Sequence, residues 1–127
     1  MTARIFETGP SLAMTVDCSG PAVVAEVKGE IDLATRDEFQ AGIDDAMAGI
    51  PLAVVLDLRE VGFMGSLGLA VLVQAHQRAQ DRGFPLYLVT SADGVIPRLL
   101  DIAGLKQVFS VVQSVEDALS EAVVGDR

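Results

Sequence analysis

The sequence predicts an α/β domain built on a mixed, mostly parallel sheet of about five strands with about four helices. Three observations predict it. A pair of short segments with apolar residues at every second position opens the chain. From there on, stretches with helical apolar spacing alternate with short, continuously apolar runs. Those runs are apolar on both faces, as strands are when helices cover the two sides of a parallel sheet. With 127 residues, half of them hydrophobic and 21% charged, the chain is long enough for one cored domain and short for two. It is expected to be a single domain over 1–127 with its core at about 10–122.

The elements follow in order. LAMTV (12–16) sets Leu12, Met14 and Val16 on one face, and AVVAEV (22–27) follows after DCSGP, which gives an opening hairpin. Thr35 begins T-R-D-E, a capping box in which Thr35 caps the first turn and Glu38 reaches back to the Thr35 amide. Phe39, Ile43, Ala46 and Met47 form the stripe of a helix ending near Gly49. LAVVLDL (52–58) is the expected central strand. Ser66 is expected to cap a second helix that runs to Arg82 and stops at Gly83, and PLYLV supplies another buried strand. A third helix is placed at 94–103, with Asp93 as its cap, Pro97 in its first turn and Gly104 as its stop. VFSVV (108–112) is the last strand. S-V-E-D is a second capping box, and Val115, Ala118, Leu119, Ala122 and Val123 line a C-terminal helix.

The order ββαβαβαβα implies an antiparallel edge followed by parallel strands. Loops leaving the carboxyl ends of parallel strands share one edge, where sites are built. Here they are GEIDLAT, REVGFMGS and TSADG, so Asp32, Ser66 and Asp93 are expected at the same end of the molecule.

Charge and composition narrow the function. A formal net charge of -9, from 18 acids against 9 lysines and arginines, repels phosphate backbones and anionic lipid. Nucleic acid and membrane surfaces are therefore not expected partners, and a protein with a basic face is. Cys18 is the one cysteine, the N-terminus lacks a signal-peptide pattern, and the longest apolar runs fall far short of the roughly 18 residues of a spanning helix. These features point to a soluble, cytoplasmic chain, with Cys18 a spectator thiol in a turn.

Catalysis and cofactors find little support. F-M-G-S-L-G places Met64 where a nucleophile elbow requires glycine. His76, the one histidine, lies ten residues down the same helix from Ser66, about 15 Å along its axis at 1.5 Å per residue, and reads as a helix-surface residue. No metal-ligand cluster and no phosphate loop stands out, so no cofactor and no enzymatic activity are expected. A receiver domain phosphorylated on Asp57 has similar length and acidity, but VDCSGP lacks the acidic pair and VFSVVQS the lysine such a domain needs.

On the residues alone Ser66 has two readings: a cap that satisfies orphan amides, or a surface hydroxyl that another protein phosphorylates. A helix N-terminus suits the product, because its amides and dipole stabilise a phosphate without refolding.

GEIDLAT, VVLDLREVGFMGSLGLAVL and the order of elements together resemble STAS domains of the bacterial anti-sigma factor antagonist type, over roughly residues 10–122. In that family the segment from Asp57 reads approximately D-L-S-x-V-x-F-[ML]-D-S-[ST]-G-L. The resemblance implies the STAS (SpoIIAA-like) fold and an antagonist that binds an anti-sigma factor and releases a sigma factor. It makes Ser66 the residue which that anti-sigma factor, a serine kinase, phosphorylates, with a separate phosphatase reversing the mark. The partner surface is then expected at Asp32, Gly65, Ser66, Leu67 and Asp93. Asp32 is a rim contact on this reading and a solvated acid on the plain one. Gly65 stands where the family often has aspartate, and Leu67 where it often has a second hydroxyl; Leu67 adds apolar area for docking. Asp57 is expected to anchor the following loop through backbone amides. Of Phe63 and Met64, plugs beneath the loop, one is free to stay exposed. The alternative within the family is a constitutive scaffold or transporter-associated subunit with Ser66 unmodified.

Overall fold

The computed structural model describes the backbone of residues 3–9 and 12–125 and the side chains of residues 12–123; residues 10 and 11, at the start of the expected core, lie outside them. One sheet of six strands runs in sequence order: β1 (Ala3–Gly9), β2 (Leu12–Asp17), β3 (Val23–Ile31), β4 (Val54–Met64), β5 (Leu86–Val89) and β6 (Ser110–Val112). The first three strands are antiparallel neighbours, and β3 to β6 are parallel. The expected order of elements is therefore present, with β1 added in front of it.

Four helices cover the sheet: α1 (Arg36–Ala46), α2 (Ser66–Arg82), α3 (Val95–Ile102) and α4 (Val115–Gly125). The side chains of β4 explain its continuous hydrophobicity. Val54, Leu56 and Leu58 enter the larger core with Phe39 and Ile43 of α1, Leu72 of α2 and Leu100 of α3. Val55 and Ala53 enter a smaller core with Tyr87, Val89 and Val112, which Ala118 and Ala122 of α4 close from the opposite side. Both faces of the strand are thus covered.

The strand β4 reaches Met64, six residues beyond the predicted end at Leu58. Its register against β3 shifts twice: Glu26 faces Asp57 and Lys28 faces Glu60, then Gly29 faces Val61 and Glu30 faces Phe63. Each shift inserts one extra residue into β4, a β-bulge. The bulges break the period of two, so the buried positions Val61 and Met64 fall three apart and REVGFM reads as a loop.

Helix termini follow the glycines. Gly83 (φ 84°) and Gly104 (φ 73°) adopt the left-handed conformation that ends α2 and α3. Ser114 Oγ accepts the Asp117 amide at 3.0 Å, the cap expected for α4. At α3 the expectation fails: Gly94, not Asp93, is the N-cap, and its amide donates to Ser91 O at 3.0 Å. Asp93 is left exposed in the turn.

Candidate functional site

The parallel order β3, β4, β5 points the carboxyl ends of those strands the same way, but β5 ends at Val89, which faces Asp57, seven residues before the end of β4 at Met64. The segments carrying Asp32 and Ser66 therefore leave neighbouring strand ends, and the one carrying Asp93 does not, contrary to the expectation that all three share one edge. Two of these segments are joined directly. Ile31 faces Met64 in the sheet, and the Gly65 amide donates to Ile31 O at 2.9 Å. The chain leaving β4 is therefore pinned to the loop leaving β3, and α2 starts from that pin.

Because Gly65 is held this way, Gly65 itself is the N-cap of α2, in extended conformation, and Ser66 is the first helical residue rather than the expected cap. The first intrahelical bond runs from the Leu69 amide to Gly65 O at 3.1 Å, so the amides of residues 66–68 precede the hydrogen-bond ladder. No acidic residue occupies this first turn. Ser66 is exposed, and among the described residues no group is hydrogen-bonded to its Oγ.

Close packing beneath the turn fixes its position. A Cβ added to Gly68 would lie 2.6 Å from Ile31 Cγ2 and 2.9 Å from Met64 Cγ, distances that real Cβ atoms do not adopt. The absent side chain lets the first turn of α2 sit down on the ends of β3 and β4. Around the serine the surface is apolar: Phe63 is 49% exposed and Leu67 39%, while Met64 is buried. The Phe63 ring leans over Gly65, where a Cβ would meet it at 3.7 Å. Behind Ser66 a depression of about 420 Å³ is lined by Leu69, Ala70, Val73, Gln74 and Leu105. His76, further along α2, is half-buried and packs edge-to-face on Phe109, with centroids 5.4 Å apart.

The loop after β3 departs from its expected capping box. Thr35 Oγ1 turns away from the helix, donating to Glu30 O at 2.8 Å and accepting from the Asp32 amide at 3.0 Å. The Thr35 amide, assigned to Glu38 by the sequence pattern, donates instead to Asp32 Oδ1 at 3.1 Å. The same oxygen accepts the Ala34 amide at 3.0 Å. Thr35 is still the N-cap by backbone position, but its side chain closes the loop rather than the helix.

Asp57 sits within β4 and is 5% exposed. Arg59 binds both of its oxygens, with Nε at 2.9 Å from Oδ1 and Nη2 at 2.8 Å from Oδ2, while the Arg59 amide reaches Oδ1 at 3.2 Å. Burial works against the charged form, yet the Arg59 hydrogen bonds outweigh it, helped by the charges of Arg59 and Lys28, and hold the carboxyl below its ordinary range. The expected anchoring of a following loop is not seen: the one backbone amide on Asp57 is that of Arg59, in the same strand, because β4 continues to Met64. A carboxylate enclosed by its own strand neighbour lends the receiver reading no support. Asp93 borders a separate depression with Pro97, Arg98, Asp101 and Lys106. Cys18, half-buried, packs against the larger core. Among the described residues no helix is long and apolar enough to cross a membrane.

Sequence reasoning missed Leu33, the most exposed large apolar residue of this edge at 79%. Its signal was an apolar residue inside an otherwise polar loop, D-L-A-T.

Comparison with known proteins bears on the same elements. The STAS domain family model matches residues 13–118. The anti-sigma-F factor antagonist RsfB of Mycobacterium tuberculosis is 32% identical over 111 residues, covering 87% of this chain and 88% of the relative. The crystal structure of an anti-sigma factor antagonist from Mycobacterium paratuberculosis aligns with a TM-score of 0.79 at 27% identity, over 91% of this chain and 98% of that one. The Bacillus protein SpoIIAA in its unphosphorylated form shares the fold, with a TM-score of 0.70 at 18% identity over 88% of this chain and 96% of that one. A match spanning β2 to the first turns of α4, carried by relatives of nearly equal length, makes this chain a STAS domain of the anti-sigma factor antagonist family.

Proposed function

We propose that the protein is a partner-switching regulator of transcription. With Ser66 unmodified it binds an anti-sigma factor and so frees a sigma factor. That anti-sigma factor is a serine kinase that phosphorylates Ser66, and a phosphatase restores the binding form. The observation that carries this reading is the exposed Ser66 at the first position of α2, its hydroxyl without a hydrogen bond among the described residues, with Phe63, Leu67 and the apolar depression beside it. The naming of RsfB as an anti-sigma-F factor antagonist supports the partner class, and SpoIIAA has a phosphorylated form.

The switch follows from desolvation. An apolar rim favours a partner surface that excludes water. A phosphate adds about -1.5 to -2 charges at the middle of that surface. Burying such a group without a matched cation costs several kcal/mol, and each 1.4 kcal/mol is about a tenfold loss of affinity. The base that takes the hydroxyl proton belongs to the kinase, so Gly65 in place of the family's frequent aspartate leaves the acceptor intact. The proposed partner surface consists of Ser66, Gly65, Leu67 and Asp93, with Asp32 in the neighbouring loop.

Titration calorimetry with purified anti-sigma serine kinases tests this. Wild type and Ser66→Ala should bind, and Ser66→Asp should bind at least about a hundredfold more weakly with an unchanged circular dichroism spectrum. Intact mass after incubation with the kinase and ATP should show one phosphate, absent from Ser66→Ala. No phosphate and equal affinity of Ser66→Asp would return the chain to a constitutive scaffold or transporter-associated subunit.

A further inference from the structure

We infer that Leu33 is a preorganised apolar anchor for the anti-sigma partner, and that Asp32 acts as the positioning residue that holds it out rather than as a charged contact. This deepens the function proposed above and rests on it. Single exposed leucines are ordinary on protein surfaces, so exposure alone decides nothing. What sets Leu33 apart is the loop beneath it.

Leu33 stands at the apex of a segment whose neighbours on both sides are fixed. One oxygen of Asp32 takes the amides of Ala34 and Thr35, and the Thr35 hydroxyl, nearly buried, bridges Glu30 O and the Asp32 amide. A further backbone bond, Thr35 amide to Asp32 O at 3.2 Å, closes the turn. The polar side chains of D-L-A-T are thus engaged with the loop itself, and the leucine is what the loop presents to water. The Gly65 amide ties the base of this loop to the serine turn through Ile31 O. Glu30 and Phe63 are register partners, so the loop that carries Leu33 leaves β3 beside the strand end that carries Phe63 and leads on to Ser66 and Leu67.

A rigid loop that displays an apolar side chain spares its partner the ordering entropy that a flexible loop would cost. Leucine buried in a receiving pocket contributes through the hydrophobic effect, while the Asp32 carboxylate, already accepting two amides, has less capacity for an intermolecular ion pair. The partner that fits is therefore the same anti-sigma kinase, with an apolar pocket placed beside the cleft that receives Ser66.

The test uses the full chain and the anti-sigma serine kinase that binds wild type most tightly when the candidates of the host genome are purified and titrated singly. Leu33→Ala should bind about tenfold more weakly, mainly through faster dissociation. Asp32→Asn keeps an acceptor oxygen for the two amides and should bind within about twofold of wild type, whereas Asp32→Ala frees the loop and should lose about fivefold or more. All three should keep the wild-type circular dichroism spectrum. If Leu33→Ala binds like wild type, Leu33 is no anchor. If Asp32→Asn is as weak as Asp32→Ala, Asp32 is a charge contact and the positioning role is wrong. Should no kinase bind wild type, the proposed function itself fails, a different result from either of these.

Discussion

A charge placed on Ser66 should stabilise the fold that it disables for binding. The perturbation is phosphorylation, with Ser66→Asp as its single-charge counterpart. Its size follows from the start of α2, a helix of 17 residues whose N-cap is a glycine with no side chain and whose first turn holds no acid. The amides of 66–68 precede the first ladder bond, and a helix start carries about half a positive elementary charge. One acid in such a turn contributes about 0.3–1 kcal/mol at low salt. Scaled to the two charges of phosphate, the gain is about 1 kcal/mol or somewhat more. The net charge of -9 opposes it, but repulsion from acids more than about 10 Å away is screened at 0.1 M salt. For a chain of this length, 1 kcal/mol is about 4 °C in Tm. Calorimetric melts of the unmodified, phosphorylated, Ser66→Asp and Ser66→Ala proteins at 0.1 M and 1 M salt read this directly. Phosphorylation should raise Tm by about 4 °C and aspartate by about half as much. Both gains should shrink at 1 M salt, where the screening length is about 3 Å. Alanine should match wild type within about 0.5 kcal/mol, because the Ser66 hydroxyl makes no hydrogen bond among the described residues. A phosphoprotein that melts lower, or a gain indifferent to salt, refutes the helix-terminus argument.

Three other substitutions probe the framework. Gly68→Ala forces a Cβ against Ile31 and Met64 and should cost about 1–3 kcal/mol in urea unfolding despite the helix-propensity gain of about 1 kcal/mol; equal stability would show that the first turn of α2 has room. Gly65→Asp meets only ordinary contacts at 3.7–3.9 Å and supplies a capping side chain, so a gain of a few tenths of a kcal/mol is expected, and a loss above about 0.5 kcal/mol contradicts it. Asp57 is held below its ordinary range in the fold, so the unfolded chain binds its proton first. The stability contributed by Asp57 is present above about pH 4 and declines as the pH drops through the folded value. Asp57→Asn should therefore be less stable than wild type at neutral pH, with a gap that narrows toward pH 3; a constant gap would mean that the carboxylate charge contributes nothing.

Much of the architecture was legible because its signals are local. Leu12, Met14 and Val16 alternate, LAVVLDL is apolar on both faces, and Gly83 and Gly104 mark helix ends at the left-handed φ that glycine tolerates best. Ser66 was legible as a residue at the start of a helix. The single-residue shift of the cap to Gly65 was not, because it depends on a bond to Ile31 O from across the sheet. The same limit applies to Thr35 and Glu38. Their spacing fits a capping box, but Asp32, earlier in the chain, competes for the Thr35 amide and wins once the loop closes.

By itself the sequence determined the order of strands and helices after β1 and the mixed sheet, since side-chain period and φ preference act within a few residues. Only the tertiary structure decided how far β4 runs, which residue caps α2, and that Leu33 rather than Asp32 faces outward. Those outcomes depend on two bulges between β3 and β4, on the hydrogen bond from residue 65 to residue 31, and on the bonds that close the loop of residues 30–35. Such pairings compare one part of the chain with another far from it, and no local pattern of residue types encodes that comparison.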